Sequence, residues 1–105
     1  MTIHNSLAAK EYLEALIGKK PSFGDFILSI RQGEEMTQVD FARQLGISRQ
    51  NLCDIEHNRR FVSPKMSAEF AEKLGYSKKQ FVRLCLQDLL NRDGIPLLVE
   101  LEHVA

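Results

Sequence analysis

The chain of 105 residues lacks several features that whole classes of protein require. Its two cysteines, Cys53 and Cys85, form neither a C-x-x-C pair nor a metal-ligand spacing, which excludes a disulfide scaffold. The longest apolar run, residues 95–99, contains Pro96 and is five residues long, whereas a membrane-crossing helix needs about 20. No signal-peptide pattern precedes residue 20. We therefore expect a reduced, cytoplasmic protein that does not contact a membrane.

The chain also lacks the sequence patterns of catalysis. His4, His57 and His103 are scattered, and neither a glycine-rich phosphate loop nor a nucleophile elbow is present. Cys53 and His57 lie four residues apart on one predicted helix, but two ligands do not make a structural zinc site. We expect a protein that is not an enzyme and that carries neither a cofactor nor a metal ion.

An excess of charge of either sign is missing as well, because 14 Lys and Arg balance 14 Asp and Glu. Since affinity for DNA depends on phosphate neutralisation, this balance at first disfavours a nucleic-acid partner. The distribution softens that objection: residues 43–92 hold ten basic and five acidic residues, and residues 93–105 hold three acids and no Lys or Arg. A locally basic face on a neutral protein is sufficient for DNA, although non-specific binding should be weak.

The most informative segment of the chain is residues 37–56, TQVDFARQLGISRQNLCDIE. Thr37 is placed to cap a short helix, and Gly46 supplies the left-handed residue that ends it. The apolar positions of that helix form one connected face: Val39, Phe41, Ala42 and Leu45. Ser48 is then placed to cap a second helix with a polar outer face. Two short helices joined by so tight a turn predict a DNA-reading module whose second helix fits the major groove.

Three further helices are predicted around this pair. Ser22, Ser63 and Ser77 are each placed to cap one of them. Gly33 and Gly75 are placed to close the first two, because glycine accepts the left-handed geometry at a helix end. The pattern therefore predicts an all-α domain of five helices.

The last of these helices and the C-terminal tail predict a dimer interface. Apolar residues surround most of the helix, so one side remains uncovered after the other packs on the domain. The alternation in the tail favours a short strand, which needs the same strand of a second copy as its partner. The predicted dimer contacts are Val82, Leu86, Leu89 and Leu90 of the helix and Leu98, Val99 and Leu101 of the strand.

The segment TQVDFARQLGISRQNLCDIEHNRR resembles the XRE-type, or lambda-repressor-like, helix-turn-helix family, and the similarity extends over residues 22–90. The residues in register are Arg31, Thr37-Gln38, Ala42, Leu45-Gly46-Ile47-Ser48, Ile55-Glu56 and Pro64. The resemblance implies a five-helix DNA-binding domain at residues 22–92. A helical extension at residues 1–21 precedes it, and a tail at residues 93–105 follows it.

The resemblance also implies two structural details. Arg31 and Glu56 occupy the positions of an ion pair that joins the first helix to the DNA-reading helix. In the turn after that helix the family usually has Asn-Gly, and this chain has His57-Asn58. Because Asn tolerates the left-handed conformation well, we expect the turn to survive.

Several polar side chains are predicted to meet DNA. Arg49 suits guanine and Gln50 suits adenine by bidentate geometry, with the base at each left open. Gln38 either donates to a phosphate from a helix N-terminus or is merely solvated. Asp54 either accepts from cytosine N4 or orients neighbouring Arg or Gln side chains. The basic residues nearby either clamp the phosphate backbone or form a solvated face. The full set of predicted contacts is Thr37, Gln38, Arg43, Ser48, Arg49, Gln50, Asn51, Asp54, Arg59, Arg60 and Lys65.

The sequence thus predicts a dimeric repressor that binds a palindromic operator of double-stranded DNA. Residues 1–20 add an amphipathic segment capped by Ser6. Its apolar positions are Leu7, Leu13, Leu16 and Ile17. An autoregulatory antitoxin of the HigA or HipB kind would bind a cognate toxin protein through this segment. A stand-alone or phage-type regulator would carry it as a flexible leader or as a helix packed on its own domain. A protein-interaction adaptor without a DNA role is the third hypothesis, and the presence of Gln38, Arg49 and Gln50 together argues against it.

Overall fold

The computed structural model describes residues 20–104, and this part of the chain folds into five α-helices. They are α1 (Phe23–Gly33), α2 (Gln38–Leu45), α3 (Arg49–Glu56), α4 (Pro64–Leu74) and α5 (Lys78–Arg92). None of these five helices has the length and apolar content needed to cross a bilayer. The predicted all-α class and helix count are confirmed. The helix predicted at residues 6–17 lies outside the described residues.

Each of these helices begins at a hydroxyl cap, as the spacing of serine and threonine predicts. In every case the side-chain oxygen accepts the backbone N–H three residues further on, which satisfies a donor that has no partner within the helix. The caps are Ser22, Thr37, Ser48, Ser63 and Ser77. At Ser22 the Asp25 carboxylate also accepts the cap's own N–H, at 3.0 Å, and completes a capping box.

The helix ends follow the predictions at three of four turns. Gly46 and Gly75 adopt the left-handed conformation with φ of 76° and 77°, and Asn58 does so with φ of 62°. The prediction for Gly33 is wrong, because helical hydrogen bonding continues past this residue and Glu35 turns the chain instead, with φ of 56°. The turn after α3 therefore survives without glycine, as expected.

The hydrophobic core lies between all five helices. Its largest fully buried apolar side chains are Phe41, Phe70, Phe81, Ile27, Leu45, Leu52 and Ile55. α4 packs most extensively on α5, while α3 packs on α1 and α2. One predicted core position is wrong: Val39 is 49 % exposed, because it lies in the first turn of α2, away from the buried Phe41 and Ala42. α3 is thus supported from behind by two helices.

The contact between α1 and α3 depends on the absence of a side chain at Gly24. A Cβ atom there would lie 2.1 Å from the carbonyl oxygen of Ile55 and 2.7 Å from Oδ1 of Asn58. No side chain fits so close to a backbone oxygen. Gly24 therefore sets how closely α1 approaches the C-terminal end of α3.

The predicted C-terminal strand is not seen, because residues 95–104 contain no strand. Instead, Gln87 of α5 binds the tail: its Nε2 donates to the carbonyl of Leu97 and its Oε1 accepts from the N–H of Val99, both at 2.8 Å. One side-chain amide thus engages two backbone groups of the tail. The tail residues predicted to pair with a second copy are half-buried here: Leu98, Val99 and Leu101.

Candidate nucleic-acid interface

α3 buries one face and presents the other to solvent. Leu52 and Ile55 are fully buried, whereas Arg49 and Gln50 project from the first turn into solvent. Asn51 lies beside them and is half-buried. These three side chains occupy the end of the helix from which base edges are reached when such a helix lies in a major groove.

A buried ion pair fixes α1 against α3. Arg31 donates from Nε and Nη2 to the two carboxylate oxygens of Glu56, at 2.7 and 3.1 Å. The Glu56 side chain is 1 % exposed and that of Arg31 is 17 % exposed. Nη1 of Arg31 also donates to the carbonyl of Met36, at 3.0 Å. The structure thus brings together the two residues that the sequence pairs.

Gln38 links this ion pair to the exposed face of α3. Its Nε2 donates to Oε1 of Glu56 at 2.9 Å, and its Oε1 accepts from Nη1 of Arg49 at 3.3 Å. The amide is engaged by protein at both ends and orients Arg49, a role that the sequence did not indicate. The N-terminus of α2 still offers backbone N–H groups without partners within the helix, and such groups can bind a phosphate.

Asp54 holds two other side chains of the interface. Its Oδ1 accepts from Nε2 of Gln50 and from Nε of Arg59, each at 3.0 Å. The hydrogen bond from the Arg59 guanidinium keeps the pKa of the Asp54 carboxyl below its ordinary value. The sequence left two roles open for Asp54, contact with cytosine or orientation of neighbouring side chains. These contacts correspond to the orientation of neighbouring side chains.

The two predicted hydroxyl contacts, Thr37 and Ser48, act as helix caps. Thr37 accepts from the N–H of Asp40 at 3.1 Å and Ser48 accepts from the N–H of Asn51 at 3.0 Å. An accepting hydroxyl retains its own proton, so each remains a donor that can be offered to a phosphate. Each hydroxyl therefore caps its helix and keeps an O–H that can donate a hydrogen bond to a phosphate.

The predicted basic contacts are all on the surface. The exposed residues of this set are Arg43, Arg49, Arg59, Arg60 and Lys65. Arg43 pairs with Asp40 one turn earlier, at 3.6 Å between Nη1 and Oδ1, and both side chains are largely exposed. Such a pair is worth little and releases the guanidinium readily.

A family model described as a helix-turn-helix domain matches residues 24–94, which is more than half of the chain and includes most of α1 and all of α2 to α5. The chain belongs to the helix-turn-helix family. No match was found among curated proteins or among solved structures. Membership indicates a DNA-binding regulator whose partner is double-stranded DNA.

The cysteines of this helix-turn-helix protein take structural positions. Sγ of Cys53 lies 3.6 Å from Nδ1 of His57, and within residues 20–104 no group of three or more His, Cys, Asp or Glu side chains is arranged to hold a metal ion. Cys85 is buried and donates to the carbonyl of Val62 at 3.1 Å, in keeping with the predicted core position. Burial raises the pKa of the Cys85 thiol.

The helix-turn-helix domain also contains an anchor that the sequence did not reveal. The guanidinium of Arg92 lies 4.2 Å from the centre of the Phe61 ring, and its Nη2 bonds to Oδ2 of Asp88 at 2.9 Å and to Oδ1 of Asn58 at 3.3 Å. The end of α5 thereby holds the loop that leaves α3. A basic residue at the end of a leucine-rich helix carries no local pattern that would predict this contact.

Proposed function

We propose that this protein is a cytoplasmic, non-enzymatic repressor that binds a palindromic operator as a dimer and regulates its own transcription. The observation that carries the proposal is the exposed first turn of α3, where Arg49 and Gln50 are each oriented by a protein partner, Gln38 and Asp54. Hydrogen-bonding groups held in place before binding suit the fixed pattern of donors and acceptors on base edges.

A specific-binding experiment tests the proposal. The probe is a labelled duplex from the region upstream of the chain's own coding sequence, and the readout is the dissociation constant at several salt concentrations. Arg49→Ala and Gln50→Ala should each weaken binding by roughly 5- to 150-fold, since a good bidentate base contact is worth about 1–3 kcal/mol. Lys79→Ala is the control, because Lys79 is also exposed but lies on α5.

The salt dependence separates base contacts from phosphate contacts. Arg60→Ala should weaken binding to every sequence and lower the slope of log K against log salt by about one unit. Unchanged operator affinity in both Arg49→Ala and Gln50→Ala overturns the assignment of α3 as the base-reading helix.

The dimer is supported by a stripe of apolar side chains on α5, hereafter the α5 stripe. Its residues recur at helical spacing on one side of the helix: Val82, Leu86, Leu89 and Leu90. Leu89 is 37 % exposed and the other three are half-buried. A second copy that covers this stripe gains up to about 1.5–3 kcal/mol for each side chain it buries fully. The tail is not included in this interface, because Gln87 binds the backbone of Leu97 and Val99.

The oligomeric state tests the α5 stripe. Leu89→Lys should yield a monomer by light scattering and a much weaker operator complex, since a single half-site contact forfeits the contribution of the second protomer. Val104→Lys also replaces an apolar side chain with lysine, but this side chain is 97 % exposed in the tail, so the variant should remain dimeric. A Leu89→Lys protein that still scatters as a dimer places the two-fold interface elsewhere.

We further propose that residues 1–20 serve a protein partner, as in an antitoxin that binds a cognate toxin. The support is the amphipathic pattern of residues 6–17, which precedes the matched domain. Deletion of residues 1–20 should preserve operator binding and abolish co-purification with the product of the neighbouring gene. Loss of operator binding by a folded deletion variant contradicts this assignment and makes the segment a DNA arm.

A further inference from the structure

Two side chains of the DNA-facing surface converge on a single oxygen atom. Oδ1 of Asp54 accepts from Nε2 of Gln50 at 3.0 Å, and Nε and Nη2 of Arg59 both lie 3.0 Å from the same oxygen. Arg59 Nη2 also lies 3.5 Å from Sγ of Cys53. The carboxylate therefore controls the direction of one candidate base reader and one candidate phosphate contact together.

The bond to Asp54 removes one of the two ways in which Gln50 can meet a purine. An unconstrained glutamine amide has two N–H donors and one acceptor. Both donors of Nε2 can face the two acceptors of guanine, N7 and O6, or one donor and the acceptor can face N7 and N6–H of adenine. With one N–H given to Asp54, the amide retains one donor and one acceptor, which is the complement of adenine.

Arg59 makes a carboxylate tolerable at this surface. An unpaired acid near phosphates is repelled, whereas Asp54 is neutralised by a guanidinium that contacts it with two nitrogens. The same contact limits Arg59, because donors directed at Asp54 are not directed at DNA. Loss of the carboxylate thus has two separable consequences, one for base choice and one for phosphate binding.

We infer that Asp54 is a positioning residue that sets operator specificity, because it commits Gln50 to adenine and holds Arg59 away from indiscriminate phosphate contact. The inference rests on the proposed function, since it concerns the same surface of α3. It adds the base that Gln50 reads and assigns the choice to a residue that itself need not touch DNA.

Selection of binding sites from a random duplex library tests the inference, with the full-length protein as wild type, Gln50→Ala, Asp54→Ala and Asp54→Asn. Wild type should select adenine at one position of each half-site, and Gln50→Ala should lose the preference at that position. Asp54→Ala should lower the ratio of adenine to guanine there by roughly tenfold and leave the other positions unchanged. Its affinity for non-specific duplex should rise and its salt slope should steepen by about one unit, because Arg59 is released.

Asp54→Asn is the conservative variant and keeps an acceptor for Gln50 without the charge that holds Arg59. It should retain the adenine preference while its salt slope steepens as in Asp54→Ala. A merely structural role for Asp54 would weaken binding to all sequences alike and would not raise non-specific affinity.

The outcomes separate this inference from the proposed function. A wild type that selects a motif, together with an Asp54→Ala protein that selects the same adenine with the same strength, overturns the inference alone. Should Asp54→Ala fail to fold, an Asp54→Asn salt slope equal to that of wild type overturns it. A folded wild type that selects no sequence overturns the proposed function and the inference with it.

Discussion

α3 and α5 both bury one face in the core, but the chemistry of their outer faces differs. The outer face of α3 is polar, and its side chains are already bonded to protein partners, Arg49 to Gln38 and Gln50 to Asp54. The outer face of α5 is apolar along the α5 stripe and only partly covered. The difference separates two kinds of recognition: fixed hydrogen bonds that suit base edges, and non-directional burial that suits a second protein surface.

The two helices are also held in place differently. α3 has eight residues and depends on contacts from behind, namely the Arg31–Glu56 ion pair and the close approach of Gly24. α5 has 15 residues and holds the tail through Gln87, which is itself buried. Removing the supports of α3 should therefore affect DNA binding, whereas removing the tail contact should leave DNA binding unchanged.

The largest effect is expected at the buried ion pair. Glu56→Gln should destabilise the fold by about 3 kcal/mol, the lower end of the range for breaking a buried pair, because Arg31 retains some exposure. Urea unfolding followed by circular dichroism measures the loss. Glu69→Gln is the control, since Glu69 is exposed on α4. A change below about 1 kcal/mol contradicts the view that this pair supports α3.

A smaller loss is expected where α1 meets α3. Gly24→Ala places a Cβ atom against the carbonyl oxygen of Ile55 and should cost about 1–3 kcal/mol, towards the upper end because backbone must move. Gly33→Ala is the matched control, because a Cβ there meets no atom within 4 Å and alanine favours the helix. Operator affinity should fall in Gly24→Ala and stay constant in Gly33→Ala. Equal stability of the two variants would show that the close approach imposes no constraint.

Loss of the tail contact should lower the free energy of unfolding by a smaller amount and should not change operator affinity. Gln87→Ala loses the two hydrogen bonds to the tail, which together contribute about 1–3 kcal/mol at most, and a third from Nε2 to Oδ1 of Asn91 within α5. Hydrogen exchange at the amide of Val99 should accelerate in this variant. Gln80→Ala, at an exposed position of α5, should leave exchange unchanged. Protection of Val99 that persists in Gln87→Ala would mean that another group holds the tail.

The smallest effect concerns a contact that belongs to neither face. Tyr76 donates to Oε1 of Glu34 at 2.9 Å, and this hydrogen bond, with burial, raises the pKa of Tyr76. A raised pKa contributes stability below the ordinary tyrosine value of about 10, and that contribution disappears as pH rises through the folded pKa. Tyr76→Phe should therefore be less stable than wild type at pH 8 and should lose the dependence above about pH 10. Parallel stability profiles for the two proteins between pH 8 and 11 would contradict this.

The parts of the fold that sequence predicts are those whose hydrogen bonds span few residues. A cap such as Ser48 and its acceptor partner lie three residues apart, and a helix end at Gly46 needs no distant contact. The error at Gly33 arose because residues other than glycine can adopt the left-handed conformation. Here Glu35 adopts it, although this conformation is energetically unfavourable for a residue with a Cβ atom. Local chemistry therefore predicted the helix order but not every helix end.

The contacts that sequence did not predict depend on how separate segments of the chain come together. The bond between Gln87 and the tail, and the stacking of Arg92 on Phe61, depend on how α5 lies against the rest of the domain. In the candidate site, the sequence identified Gln50 and Asp54 but left the role of Asp54 open. Its contact with Arg59 forms only because the turn after α3 brings the chain back.

A titration with DNA followed by amide chemical shifts tests the central comparison most directly. The protein is labelled with nitrogen-15 and titrated with the operator duplex at the protein concentration used for light scattering. The largest shifts should occur at residues 37–38, 49–51 and 60, while Val82, Leu86 and Gln87 of α5 should hardly move. Shifts concentrated on α5 and the tail, with the first turn of α3 unchanged, would contradict the assignment of α3 as the DNA-reading surface.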